Sequence, residues 1–407
     1  MQKKVARFIR VYPWYFGLTA DLLFYVAINT LFFTVVKDFS AAQIVSLTSV
    51  SAIASIVLQF PLLWVIKKIG NTASIRMGAL LMLVSAVCIT FGPNYYIVAL
   101  GRIFHDMSVI FRASSLVALE NNLELTGQDG EFVKVRASGN TTYAFITMGV
   151  SFVASLMFNW NPYLPMYCCV GACAVGFGLT FLLKDHSSYN KLSRKKKTAG
   201  GKMHYSKVIL LAVVVYGLFY ALVAQEQSEG KLFIQQHLMQ DYSVDTTSLV
   251  IGGILIASRV IRVLSNLVFV RIYRKLHFKA GNLFTALLCS SAALMLFGSF
   301  IPLTVVKILV MAVGYVIILF LRDPFNLYMQ DVVFAYTERQ HHQTVLTTMN
   351  FATKVGMAIM SLGFTFVLLK WPLVVEMAIL LILAAVEVAL GLWLYKNIRP
   401  AKTAAQS

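Results

Sequence analysis

Charge is scarce in this chain. Only 13% of its 407 residues are Asp, Glu, Lys or Arg, against about 25% in an ordinary soluble domain. That leaves little with which to solvate a folded surface. The cysteines are few and lack metal or redox spacing: Cys88, Cys168, Cys169, Cys173 and Cys289 all fall within apolar stretches. They read as small apolar packing residues. A phosphate-cradling loop is missing. Lys202 follows Gly200 and Gly201, but Met203 stands at the hydroxyl position and the leading glycine is absent, which argues against ATP-driven pumping. There is no His-Glu-x-x-His run and no serine nucleophile elbow, and His341-His342 falls in a charged turn. Neither an enzyme nor a bound cofactor or metal is expected.

Acids are scarcer than bases, 17 against 35 Lys and Arg, for a net charge of +18. In a soluble protein that surplus would suggest nucleic acid. Its distribution removes that reading.

What the chain has in abundance is apolar sequence, with a mean hydropathy of +0.74. A helix crossing the bilayer needs about 20 apolar residues, and twelve stretches meet the requirement: 13–36, 43–66, 77–93, 95–119, 137–158, 166–184, 207–228, 247–270, 280–299, 303–330, 343–369 and 373–396. About 25 of the 35 basic residues lie at the amino terminus, in every second gap and in the tail, including Lys3, Lys4, Arg7, Arg10, Lys67, Lys68, Arg274 and Lys275. About four lie in the opposite gaps or at their edges (Lys37, Lys231, Lys307, Lys370), and about six lie within spans. The basic excess therefore orients the chain, with both termini cytoplasmic. The expectation is an all-α, multi-pass protein of the inner membrane whose macromolecular surroundings are lipid, not nucleic acid. The first span has no small-residue cleavage site after it, so it is expected to stay as an anchor.

The longest polar interruption, Lys184 to Lys207, contains Lys195-Lys196-Lys197, Gly200 and Gly201 and reads as a cytoplasmic linker. It divides the chain into a six-helix bundle over 1–184, a linker over 185–206, and a second six-helix bundle with a short tail over 207–407. The halves look like diverged copies. Arg112 precedes Asn140 by 28 positions, as Arg322 precedes Asn350, and each pair is offset from the other by 210. Lys67-Lys68-Ile69-Gly70 after span 2 matches Arg274-Lys275-Leu276-His277 after span 8, at an offset of 207. Parallel six-helix repeats build transporters.

On these features the chain resembles the major facilitator superfamily over essentially its whole length. The resemblance rests on the six-plus-six layout with a basic central loop, on Gly101-Arg102 in span 4, and on the loop after span 2. There the stretch Leu63-Trp64-Val65-Ile66-Lys67-Lys68-Ile69-Gly70 keeps the basic residue and final glycine of the family's motif. Lys67 stands where the family has an acid, and Leu63 where it has the leading glycine. Asp106 occupies a position where the family's drug exporters often carry glycine. The resemblance implies twelve helices in two pseudo-symmetric six-helix bundles and secondary transport by alternating access. Lys67, Lys68, Gly70, Arg112, Asn140, Arg322 and Asp323 are then expected to be structural or gating residues.

Charges inside the hydrocarbon cost about 2.5–3.5 kcal/mol each, so they face partners or a wet cavity. Span 4 carries Arg102, His105, Asp106 and Arg112 near one helical face, and Arg102 can pair with Asp106 at i, i+4. That pair either fixes packing or responds to protons and substrate. Asp21 is the lone charge of span 1, with Gly17, Tyr25 and Asn29 on its stripe. It suits a proton carrier, or a salt bridge to another span, and the family's exporters often use an acid in span 1. Asp21, Asp106 and Glu226 are the proton-coupling candidates. Arg102, His105, Tyr25, Arg259, Arg262, Asn350 and Lys354 are the substrate candidates. The cations of spans 8 and 11 either receive an anion through forked hydrogen bonds or are neutralised by Glu226 or Glu387. Thr48, Ser51, Ser55 and Gln59 on span 2, and the aromatics Tyr216, Phe219 and Tyr220 on span 7, read as packing.

The leading expectation is proton-coupled export of a small organic or drug-like molecule by a monomer. The alternatives are uptake of an anionic nutrient or metabolite, or a non-transporting sensor or scaffold.

Overall fold

A computed structural model describes residues 2–128, 131–186, 206–276, 280–337 and 342–398. The linker over 185–206 therefore lies outside the described residues except at 185, 186 and 206. So do His277, His341 and the tail beyond 398, together with the side chains of Asn266, Arg274 and Lys275.

The described chain is helical, as its apolar runs require, because a backbone in lipid must satisfy its own hydrogen bonds. In order, the helices are α1 (Gln2–Thr19), α2 (Leu23–Leu31), α3 (Ala41–Ile69), α4 (Asn71–Phe91), α5 (Tyr95–Arg112), α6 (Ser114–Glu124), α7 (Phe132–Trp160) and α8 (Leu164–Leu179). They continue with α9 (Lys207–Asp241), α10 (Val244–Leu276), α11 (Ala280–Gly298), α12 (Thr304–Ala335), α13 (His342–Leu368) and α14 (Leu373–Asn397). Among the described residues, 11 helical segments are long and apolar enough to cross a membrane. The twelfth expected span, 95–119, is α5 followed by α6. Arg102, Asp106 and Arg112 within α5 lower its apolarity.

Large apolar side chains point outward, as a lipid-facing surface demands. Phe60 is 70% exposed, Phe145 67%, Ile359 67% and Phe366 68%. Small polar residues lie inside, including Ser74, Ser85, Ser155, Ser258 and Ser291, where they let helices approach closely.

Two spans differ from their expected outlines. Span 1 begins at residue 2 instead of 13, and it is broken between Thr19 and Leu23. Asp21 causes the break: its Oδ1 accepts the Leu22 amide at 2.8 Å, a local bond that competes with the helical ladder. Span 7 does not end at 228. α9 runs on for 35 residues, about 52 Å at 1.5 Å per residue. Lys231, expected in a gap between spans, is buried inside that helix. The polar run Gln225 to Lys231 reads as a boundary, but Gln225, Glu226, Glu229 and Lys231 are all buried by neighbouring helices, and tertiary burial overrides the local signal.

The chain divides into two compact units, Met1–Lys197 with Val244–Leu255, and Thr198–Ser243 with Ile256–Ser407. In the first, α5 packs against α3 and α4, and α7 against α1 and α2. The start of α10 joins it: Ser248 Oγ donates to the Ser155 carbonyl at 3.0 Å. Lys37 ties another edge, donating to the carbonyls of Thr90 and Gly92 at 2.9 Å each. In the second, α9 packs against α12, α13 and α14, and α11 against α12 and α14.

Candidate functional site

The polar residues of the first unit converge where α1 breaks. His105 on α5 lies between two carboxylates, with Nε2 3.4 Å from Asp21 Oδ1 and Nδ1 3.8 Å from Asp106 Oδ1. Neither ring nitrogen has a hydrogen-bond partner, so what couples the three groups is charge, when the imidazole is protonated. The Asp21 side chain is 36% exposed against 12% for His105 and 15% for Asp106. Asp21 is thus the most exposed of the three.

Arg102 and Asp106 do not pair directly. Ser51 of α3 stands between them, donating to Asp106 Oδ2 and accepting from Arg102 Nη2 at 3.3 Å. The Arg102 guanidinium also lies over the Tyr25 ring, 5.7 Å from its centroid, within cation–π range. Ser51 reads from the sequence as packing; its role emerges only when α3 and α5 are brought together. Arg112, one helix end away, donates to the Thr19 carbonyl, which the break in α1 leaves without its helical donor.

In the second unit one candidate is already paired. Arg262 is not free: its Nε and Nη2 reach the two Asp323 oxygens at 2.8 and 3.0 Å, a forked pair. Arg322 holds Gln227 Oε1 at 3.5 Å, and its carbonyl accepts from Tyr220. Tyr216 reads from the sequence as packing, yet its hydroxyl donates to Asn326 Oδ1 at 3.1 Å.

Among the described residues Glu226 makes no ion pair with span 8. It is buried and accepts from Ser291 Oγ at 3.1 Å. Glu387 is also buried, and neither of its oxygens has a hydrogen-bond partner. Among the described residues Arg259 enters no ion pair. Lys354 is half-buried, while Asn140 and Asn350 are exposed. No three His, Cys, Asp or Glu side chains among the described residues are grouped as a metal ion requires.

The profile of the Major Facilitator Superfamily matches residues 14–360. The chain belongs to this superfamily. No curated protein matches it. Among solved structures, a mutant of the nucleoside transporter NupG is similar at a TM-score of 0.74 and 14% identity, covering 97% of this chain and 100% of that one. NupG itself gives 0.70 and 14% with the same coverage. A bacterial homologue of the iron transporter ferroportin, in an inward-facing state, gives 0.63 and 10%, covering 98% and 100%. At such identities the likeness is one of fold: an all-α, multi-pass membrane protein of a transporter family.

Membership gives meaning to the loop after span 2. Gly70 has φ +81°, a conformation that favours glycine, and its amide closes α3 on the Ile66 carbonyl at 2.9 Å. Lys67 and Lys68 are exposed, and Lys68 lies over the Trp64 ring at 5.3 Å. A polar clip nearby is uncharged on one side. Asp185 accepts from Asn71 Nδ2 at 2.7 Å and Asn121 Nδ2 at 3.0 Å. Asn122 Nδ2 donates to the Lys184 carbonyl at 3.0 Å. The sequence gives little warning of this clip, because asparagines at helix ends look like ordinary caps.

Proposed function

We propose that the protein is a proton-coupled secondary active transporter that exports a small organic molecule by alternating access. One observation carries the reading: His105 flanked by Asp21 and Asp106, with Asp21 the most exposed of the three. A proton arriving at Asp21 or His105 changes the charge balance of the whole cluster. Through Asp106 and Ser51 that change reaches Arg102 and Tyr25, which serve as the polar contacts for substrate. Arg112 holds the broken end of α1 that presents Asp21. The acid in span 1 favours export, since exporters of this family often carry one there.

In this reading the protein is a monomer of the cytoplasmic membrane with both termini inside, and it catalyses no covalent chemistry. A second reading, uptake of an anionic solute, is favoured by Arg259, which has no acid paired with it among the described residues.

The test has two stages. Metabolites and drug-like compounds are screened for thermal stabilisation of the purified protein; a ligand at 100 times its Kd adds about 2.7 kcal/mol. The best binder is then offered to inside-out vesicles under an imposed pH gradient. Proton-driven movement into the lumen supports export, and movement in the opposite sense supports uptake. No gradient dependence in either direction removes the proton from the mechanism.

A further inference from the structure

The first helix carries two opposed stripes. Val5, Phe8, Tyr12 and Tyr15 are at most 1% exposed and pack into a core with Leu119 and Leu123 of α6, Val135 of α7 and Leu183. Lys3, Arg7, Arg10 and Trp14 follow the other side of the helix, three or four positions apart, and all four are exposed. Trp14 is 60% exposed. Lys4 is exposed beside them. None of the four cations enters an ion pair among the described residues, and the exposed acids of α6, Glu120 and Glu124, do not neutralise them.

The stripe has a defined depth. α1 is continuous to Thr19, and the stretch it opens, Gln2–Val36, is long and apolar enough to cross a membrane. An outward tryptophan at the polar end of such a helix sits at the level of the lipid headgroups. At 1.5 Å per residue, Arg10 lies about 6 Å beyond Trp14, Arg7 about 10 Å and Lys3 about 16 Å. Arg7 and Arg10 reach back to the phosphate layer with their own side chains, while Lys3 and Lys4 act on it through a field screened over about 8 Å. The neighbouring helix adds a cation at the same depth. A Cβ added at Gly139 of α7 would lie 3.2 Å from Tyr12 Cε1, and Phe16 meets Tyr143 edge-on at 6.5 Å. Both pairs are 127 positions apart, so the exposed Arg136 stands level with Ile9, beside Arg10. Lys134, half a turn away, is already paired with Glu131 at 3.0 Å.

We propose that this face of α1, with Arg136 beside it, is a docking surface for the headgroups of anionic phospholipid. The phosphodiester oxygens accept from the forked donors of Arg7, Arg10 and Arg136, and Trp14 meets the lipid just below them. The membrane is the partner the geometry favours over a soluble polyanion, because the stripe ends on an outward tryptophan and continues into the spanning segment. A leaflet carrying negative lipid attracts each cation held near its surface. The surface depends neither on the cargo nor on the direction in which it moves.

The test is lipid binding to the full-length protein in neutral detergent, read by native mass spectrometry. Phosphatidylglycerol and phosphatidylcholine with the same acyl chains are compared. The first phosphatidylglycerol is expected to bind about tenfold more tightly than phosphatidylcholine, and high salt should narrow the difference. Arg7→Gln, Arg10→Gln and Arg136→Gln together are expected to remove most of that preference. Lys207→Gln, Lys370→Gln and Lys396→Gln take the same charge from exposed positions elsewhere and should leave it in place. Equal binding of the two lipids, an unchanged preference in the arginine variant, or an equal loss in the lysine variant overturns the proposal. Displacement of the lipid by excess inorganic phosphate also overturns it, by making the face a site for free anions. The three arginines are exposed, so their replacement should not impair folding; if it does, Arg10→Gln with Arg136→Gln decides by the same comparison.

Discussion

Arg112 donates a hydrogen bond to the carbonyl oxygen of Thr19, the residue at which the first helix stops two positions before Asp21. Broken helices persist in membranes where other groups satisfy the freed backbone. Here the guanidinium does so, and it links the end of α5 to the segment that carries the proposed proton carrier. Arg112→Gln is expected to cost about 1–3 kcal/mol, the penalty for a buried acceptor left short of its donor. A thermal melt reads the loss. Hydrogen exchange should quicken at the amides of residues 20–23 more than elsewhere in the first unit, and uniform protection across α1 and α2 would contradict the assignment.

Ser51 is the second joint of the cluster, bridging Arg102 and Asp106. Ser51→Ala leaves a cation and a carboxylate without their shared hydroxyl. Bonds to charged groups are worth about 1.5–3 kcal/mol, so transport should fall about tenfold or more and its pH profile should shift. Ser51→Thr, which keeps the hydroxyl, should restore both. An alanine variant with an unmoved pH profile would make Ser51 a packing residue after all.

Two glycines separate strain from crowding. Gly70 has φ +81° with no neighbour within 4 Å of an added Cβ, so Gly70→Ala should cost about 1–3 kcal/mol through backbone strain alone. Gly101 sits inside α5, where a Cβ would lie 2.9 Å from Cys88 Cβ and 3.2 Å from the Ser85 carbonyl. Gly101→Ala should cost about 1–3 kcal/mol through overpacking, and Gly101→Leu should prevent folding. Equal tolerance of Ala and Leu at Gly101 would show that α4 and α5 do not approach so closely.

Three acids of the second unit, Glu229, Glu376 and Glu387, are fully buried, with no hydrogen-bond partner for either carboxyl oxygen. Gln in their place keeps the shape and carries no charge, so Glu376→Gln and Glu387→Gln should leave the Tm unchanged or higher. Arg262→Gln should behave differently. It strips Asp323, itself 31% exposed, of a forked partner, and solvent limits the cost to about 1 kcal/mol. The double variant with Asp323→Asn should recover that loss.

The number of spans, their order and the charged positions within them are legible in the sequence because lipid imposes a length and a price on every departure from apolarity. The interruptions are less legible. Asp21 is visible as a lone acid, but nothing in its flanking residues shows that it claims the Leu22 amide and opens the helix. The run from Gln225 to Lys231 misleads for the opposite reason: it is polar enough to look like a loop, yet neighbouring helices bury it. Partner choice is the least legible level. Arg102 and Asp106 are correctly placed on one face of α5, while the serine that joins them comes from another helix. Arg262 and Asp323 are likewise brought together by packing that no local pattern encodes.

The most direct measurement concerns Asp21. With a ligand found by thermal stabilisation and the protein reconstituted in liposomes, accumulation against a gradient is compared with exchange at equal pH. Asp21→Asn is expected to abolish pH-driven accumulation and to leave exchange partly intact, since the substrate contacts remain. Accumulation at the wild-type rate in that variant would contradict the account and remove the Asp21–His105–Asp106 cluster from energy coupling.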